Sequence, residues 1–455
     1  MNIFYERCFF IFLLAFSSSS LWSFGAYGWH DQQRIAQLML LLVSGLLVAV
    51  VRVRSPKKPI VVFTFIFFIG GVSACWSEWS VWAFKEWSRI VGLFLVFLLV
   101  GTLAQYDRFQ KVVFFIIAMV GVLQSLQFLI FYMSALSSDL RILDAGVLLG
   151  GFSNPRFFGQ FQVLIMPLMA FLVFFCFGSG RLTWAVILFF SLSVHWCISL
   201  VLGGRGLWLG VLLGQVLMVW IARRFWILGA LQITAAILGG ILYYLLFFGF
   251  EDFFGLSVSV NDGLRFGLSM REIIWIEAWE MFVTNPWLGV GPMHFSAEVN
   301  PIAAHPHQMI LQWAAEWGGA AAMLATIMMV VGMVKFGRRL KEGEAKHEDA
   351  GLFSALTGAL VLAQVDGVFV MPYVETWLAI LAGLSLARYE KFNSVGAKVE
   401  GIIFMLSIFV VVWLAYILVV EAPSLLEAEK NYMKEHVGGW FPRFWEQGWI
   451  PMDIK

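Results

Sequence analysis

The chain has 455 residues, 61% of them hydrophobic and 13% charged, with a net charge of +1. Soluble domains carry roughly a quarter charged residues, so the composition excludes one and marks an integral membrane protein. Its arginines occur in short clusters rather than on a basic face, which argues against a nucleic-acid partner.

Arg7 precedes an apolar stretch from Cys8 to about Tyr27, and no small-x-small cleavage site follows it cleanly. This reads as an uncleaved first span rather than a signal peptide. Further apolar runs follow, giving spans near 8–26, 36–52, 59–75, 90–105, 112–133, 157–178, 182–202, 206–221, 227–248, 315–334, 351–371, 374–388 and 400–420. Each suits a hydrocarbon core roughly 30 Å thick, so the expected fold class is all-α, a polytopic transmembrane bundle of about 12–13 spans.

Basic residues phase the spans. Arg52, Arg54, Lys57 and Lys58 fill the second loop, Arg108 and Lys111 the fourth, Arg181 the sixth, and Arg223 and Arg224 the eighth. Lys335, Arg338, Arg339, Lys341 and Lys346 fall in the tenth, and Arg388, Lys391 and Lys398 in the twelfth. These even loops are expected in the cytoplasm and the odd ones outside. Residues 1–420 then form one membrane domain, with 250–314 a large periplasmic catalytic loop within it. The segment 421–455 would be a periplasmic tail whose Trp440, Phe441, Trp445 and Trp449 rest on the membrane or meet a protein acceptor. The short span 374–388 decides this, because losing it moves the tail inside.

Residues able to do chemistry concentrate at the outer face. Arg205 lies in Leu202-Gly203-Gly204-Arg205-Gly206 between two apolar runs. Residues 182–221 would make roughly 60 Å of helix, too long for one span, so the arginine marks an outer hairpin. It reads either as a snorkelling interfacial arginine or as a phosphate clamp, whose flanking glycines let a bulky anion approach. Arg265 and Arg271 share that face and suit a diphosphate, or pair with Asp262, Glu272 or Glu277.

His305 and His307, in His305-Pro306-His307-Gln308, are the loop's proton acceptors, fit for general-base work near neutral pH. Metal ligation is the rival use, but no nearby Cys or Asp completes a set. His30 and His294 read as structural. Asp366 and Glu375 flank the outer end of the eleventh span with no visible partner. Cys8, Cys75, Cys176 and Cys197 show no metal-ligand spacing and read as apolar filler. Mid-span polarity is scarce, with His195 and Gln215 the main cases, which disfavours a transporter or flippase.

Arg271-x-x-x-Trp275, Asn285-Pro286-Trp287-Leu288-Gly289-Val290-Gly291, His305-Pro306-His307-Gln308 and Glu316-Trp317-Gly318 together resemble the O-antigen ligase family. That family includes lipopolysaccharide O-antigen ligases and protein O-oligosaccharyltransferases such as pilin glycosylation ligases. Gly151-Phe152-Ser153-Asn154-Pro155 and Gly204-Arg205-Gly206 add to the likeness, which spans about residues 150 to 390.

The resemblance implies metal-independent, inverting transfer of a glycan from undecaprenyl diphosphate to an acceptor hydroxyl, on the outer face of the bacterial inner membrane, with no cofactor. By position, Arg205 and Arg271 would hold the diphosphate, and His307 would activate the acceptor with His305 beside it. The polyprenyl tail would lie against the helices among the membrane lipids. Ala315-Glu316-Trp317-Gly318 and the tail look more like the members that glycosylate a protein such as pilin. Lipid A–core is the other acceptor, and a growing glycan, as in a polymerase, a third. Gln308 replaces the family's more frequent Asn, Arg156 stands where a second Asn is common, and Gly203 takes the place of a Ser, which weakens any assignment of acceptor.

Overall fold

The computed structural model describes residues 3–25, 27–51, 53–138, 143–249, 270–390, 392–428, 430 and 441–452. Arg52, Asp262, Arg265, Lys391 and Trp440 fall outside them. Sixteen α-helices are described: α1 Ile3–Ser18, α2 Trp29–Val50, α3 Lys57–Trp76, α4 Ser80–Leu103, α5 Asp107–Ser137, α6 Ala145–Leu148, α7 Pro155–Gly178 and α8 Leu182–Leu202. The others are α9 Arg205–Ile221, α10 Trp226–Tyr244, α11 Arg271–Thr284, α12 Met309–Trp317, α13 Gly319–Lys341, α14 His347–Leu362, α15 Pro372–Tyr389 and α16 Ala397–Tyr416.

Every apolar run overlaps one of these helices. Among the described residues, nine helices are long and apolar enough to cross a membrane, and α9 is apolar but shorter. Side chains such as Phe68, Trp220, Ile237 and Val412 point outward, as a lipid-facing surface requires. The molecule is an all-α polytopic bundle.

Two runs are divided. The run 315–334 breaks at Gly318, between α12 and α13. The run 351–371 is helical only to Leu362, after which a non-helical turn, 363–371, leads into α15. Pro372 can begin a helix but lacks the N–H to continue one, and Asp366-Gly367 favours a turn. Such backbone survives at membrane depth only where protein or a cavity surrounds it.

Helices α7, α8, α9, α10 and α14 pack as one group, and α2, α4, α15 and α16 as another. The α9–α14 contact is close because a Cβ at Gly210 would stand 2.8 Å from the Gly358 carbonyl oxygen, and one at Gly214 2.5 Å from that of Ser354.

The basic loops meet at one end of the bundle. Strand β1, Arg54–Ser55, pairs antiparallel with β2, Asn393–Ser394, joining the second loop to the twelfth. Arg388 donates to Asp349 at 2.6 Å and to Gln110 at 2.9 Å, and Arg224 to the carbonyls of Leu340 and Ala345. The histidines and the remaining arginines of interest lie at the opposite end.

Candidate active site

The turn 363–371 and the segment entering α12 hold each other. Gln308 is the N-cap of α12, its side-chain oxygen accepting from the Leu311 N–H, a task an Asn also performs. Its amide donates to Gln364 at 3.2 Å, and the Met309 N–H donates to the Ala363 carbonyl at 3.0 Å. His307 is thereby fixed at φ +54°, a left-handed conformation uncommon outside glycine.

His307 Nδ1 lies 3.2 Å from Asp366 Oδ1, which also accepts from the Gly367 N–H at 2.8 Å. Burial alone would raise the Asp366 carboxyl. The His307 hydrogen bond and charge, the Gly367 N–H and Arg271 outweigh it and hold the group below the usual carboxylate range. An ionised carboxylate only accepts, so this hydrogen bond takes a proton on His307 Nδ1, and in the neutral ring that tautomer puts the lone pair on Nε2.

His305 is buried, with its ring centroid 4.1 Å from that of His307. Burial, then the charges of His307, Arg443, His30 and Arg271, push its imidazole well below the ordinary value. It is neutral, and its Nδ1 accepts the His307 N–H at 3.3 Å, so its proton sits on Nε2. The two histidines therefore have different surroundings. His307 has a carboxylate and a free lone pair, whereas His305 is enclosed and faces its neighbour's backbone.

Arg205 and Arg271 are the first residues of α9 and α11, and Arg156 is the second of α7, following its Asn154 cap. Gly203, at φ +60°, turns α8 into α9. A Cβ at Gly159 would stand 3.5 Å from Leu202, and one at Gly206 2.7 Å from Leu362, so the first turns of α7 and α9 flank the 363–371 turn. Burial lowers the half-buried Arg271 guanidinium, Asp366 raises it, and Arg156 and Arg205 lower it again. The three cations thus share one neighbourhood. Among the described residues none of them has a carboxylate within ion-pair distance, and Glu277 accepts instead from Asn300 at 3.3 Å. Three guanidiniums on helix N-termini, with no carboxylate partner among the described residues, are an arrangement that suits an anion.

The Trp287–Gly291 turn locks the far end of α12. Val290 N–H donates to Ala315 at 2.8 Å, Gly291 N–H to Glu316 at 3.1 Å and Gly319 N–H to Pro286 at 2.8 Å. Gly318 has φ +83°, and a Cβ there would stand 2.1 Å from the Trp287 carbonyl oxygen. Gly318→Ala should destabilise the protein by about 2 kcal/mol or more, read as a lower melting temperature of the purified protein in detergent.

A buried charge network lies beneath the histidines. Arg34 pairs with Glu375 at 2.6 Å, Arg89 with Glu86 at 2.6 Å and also with Glu375, and Arg443 with Glu316 at 2.7 Å and Glu86 at 3.2 Å. The apolar runs begin at 36 and 90, which leaves Arg34, Glu86 and Arg89 to loops. Helices α2 and α4 begin earlier and carry these charges inside, so the interior is more polar than the runs imply. Glu375 has two arginines as partners.

Arg443 arrives on a strap, residues 441–452, inserted into this end of the bundle. Arg34 donates to the Phe444 and Arg443 carbonyls, both at 2.9 Å, and the Glu446 N–H donates to Asp31 at 2.7 Å. Trp445 and Trp449 are buried, so they are not a free surface for membrane or acceptor. His294 accepts the Trp79 N–H at 2.9 Å, and His195 packs among α5, α7 and α8 with Gln162 donating to its carbonyl at 2.8 Å.

Among the described residues no three His, Cys, Asp or Glu side chains gather as metal ligands. Sequence patterns single out His305, His307, Arg205 and Arg271, which the structure brings to one end. Arg265 lies outside the described residues. Arg156 and Arg443 carry no comparable signal of their own, since Arg156 stands in a cap motif and Arg443 in an aromatic stretch, while Glu316 is legible only as part of Glu316-Trp317-Gly318.

A multi-pass membrane protein with an arginine-lined, histidine-floored site at one end is the class defined so far. Residues 188–326 match the family model described as O-Antigen ligase, so this stretch of the chain is similar to that family. The matched stretch includes Arg205, Arg271, His305 and His307 but not Arg156, Asp366 or Arg443. No curated protein matches the chain.

Proposed function

We propose that this protein transfers a glycan from undecaprenyl diphosphate to an acceptor hydroxyl at the periplasmic face of the bacterial inner membrane, by a metal-independent, inverting displacement. The observation that carries the reading is the His307–Asp366 pair standing near three arginines that have no carboxylate partner among the described residues. His307 Nε2 takes the proton of the acceptor hydroxyl as its oxygen attacks the anomeric carbon. The bond from that carbon to the diphosphate oxygen breaks, and Arg205, Arg271 and Arg156 stabilise the charge arriving on the leaving group. Arg265 is proposed with them from the sequence alone. Attack from the face opposite the leaving group inverts the anomeric centre. Asp366 orients the imidazole and stabilises the imidazolium.

The acceptor we propose first is a Ser or Thr hydroxyl of a protein such as pilin. Glu316, Trp317, Trp445 and Trp449, which favour it in the sequence, are all interior. One observation favours the second reading, a lipid-borne acceptor such as lipid A–core. An apolar cavity of about 330 Å³ runs beside Trp313 and Phe369, on the two segments that carry His307 and Asp366, and is shaped for a hydrocarbon chain.

Purified protein in EDTA, given undecaprenyl-diphosphate glycan with either pilin or lipid A–core, tests the reading. Transfer to one of them supports a ligase and names its acceptor. Transfer to neither, or transfer abolished by EDTA, would overturn the mechanism. In the same assay Asp366→Asn should lower turnover about tenfold, because the negative charge facing the imidazolium is lost while Oδ1 still accepts from Nδ1–H.

A further inference from the structure

We propose that Arg443 is a positioning residue of the transfer reaction, and that the strap 441–452 is the built-in brace of the catalytic loop. The inference rests on the transfer reading above. It starts from an oddity of burial, for Arg443 is 1% exposed yet lies far along the chain from the site it reaches.

Three lines of contact run from the strap to His307. The Arg443 guanidinium grips both oxygens of Glu316, at 2.7 and 2.9 Å, and Gln312, with its amide turned to suit its neighbours, accepts from it at 3.0 Å. Both partners are on α12, the helix that His307-Gln308 begins. The Ile450 N–H donates to the Ser296 carbonyl at 3.1 Å, and the Ser296 hydroxyl donates to the Ala304 carbonyl at 2.9 Å, next to His305. A Cβ at Gly448 would stand 3.1 Å from the Ala304 methyl, so the strap presses directly on the loop.

Charge adds to contact. The groups facing His305 are His307 on its own loop, Arg443 on the strap, His30 on α2, Arg271 on α11 and, across Gly367, Asp366 on the turn. His305 holds the His307 N–H only while its Nδ1 is unprotonated. Burial is the first reason it stays so, and the Arg443 cation adds to it, since a like charge nearby disfavours imidazolium. Losing that charge lets His305 take a proton at higher pH, turning an acceptor into a donor that faces an N–H.

The test uses the full-length protein with Arg443→Met and Glu316→Gln together, which leaves no lone buried charge there because Glu86 keeps Arg89. If Arg443 positions the loop, the double variant keeps a near-wild-type melting temperature and donor KM. Its kcat falls on the order of tenfold or more, and the acid limb of its kcat profile moves to higher pH. Hydrogen exchange across residues 300–308 speeds up, with α7 and α14 still protected and no substrate present. Arg443→Lys keeps the charge but not the fork, so its acid limb stays in place while kcat drops.

A double variant with wild-type kcat, pH profile and exchange would make Arg443 a packing residue only. If the double variant does not fold, Arg443→Lys decides, and wild-type kcat there overturns the proposal. Wild-type protein that transfers no glycan overturns the function instead, and the exchange measurement then decides the brace by itself.

Discussion

His307→Ala should lower the rate of glycan transfer by about 10²- to 10⁴-fold, the usual share of a general base. Donor affinity should hold, because the arginines proposed to hold the diphosphate are on other helices. The loss is of a proton acceptor at one point, so added imidazole should restore part of the rate. The measurement is single-turnover transfer from undecaprenyl-diphosphate glycan, with and without imidazole, at saturating acceptor. Wild-type turnover in this variant would remove the base from the mechanism. Asp366→Asn bears on the same atom from behind, which is why its expected effect is smaller.

Arg271→Ala should cost about 10²- to 10³-fold in turnover, because a guanidinium beside the breaking bond acts most strongly when charge reaches the leaving oxygen. Arg205→Ala should behave similarly. Lysine at either position should recover only part of the rate, since an ammonium cannot form the two parallel bonds of a guanidinium. Arg156→Ala should mainly weaken donor binding. Inorganic pyrophosphate should inhibit the wild type in competition with donor and inhibit all three variants less. Unaltered pyrophosphate inhibition across the three would show that these cations serve another purpose.

Much of this architecture was legible from hydropathy. A helix without water must be apolar over about 20 residues, and each such run became a helix. Interruptions were harder to see. Residues 351–371 read as one span because Val365, Val368, Phe369 and Val370 continue the apolar run around Asp366-Gly367. The turn that carries Asp366 depends on its partners in the segment entering α12, which local pattern does not contain.

The site divides in the same way. His307 and Arg205 stand in proline- and glycine-rich motifs that announce a loop near the membrane, and Arg271 in the Arg271-x-x-x-Trp275 motif. Arg156 looks like a helix-start residue, and its relation to Arg271 arises from packing of α7 against α9. Arg34, Glu86 and Arg89 sit beside apolar runs and resemble ordinary loop charges. Only long-range partners, Glu375 and Arg443 among them, draw these charges into the interior.

The buried network also bears on how the chain enters the bilayer. Glu86 and Arg89 are one helical turn apart, so these two charges of α4 can neutralise each other as it inserts, whereas Lys85 on the same helix must wait for Glu421. Arg34 must wait for Glu375, and Glu316 for Arg443, because each partner is made much later in the chain. The buried network can therefore close only in stages, with Arg34 matched after Glu375 has been made and Glu316 after residues 441–452 have docked. On the proposed bracing role of Arg443, an inserted chain gains transfer activity only with that docking, and a half-assembled bundle spares its donor.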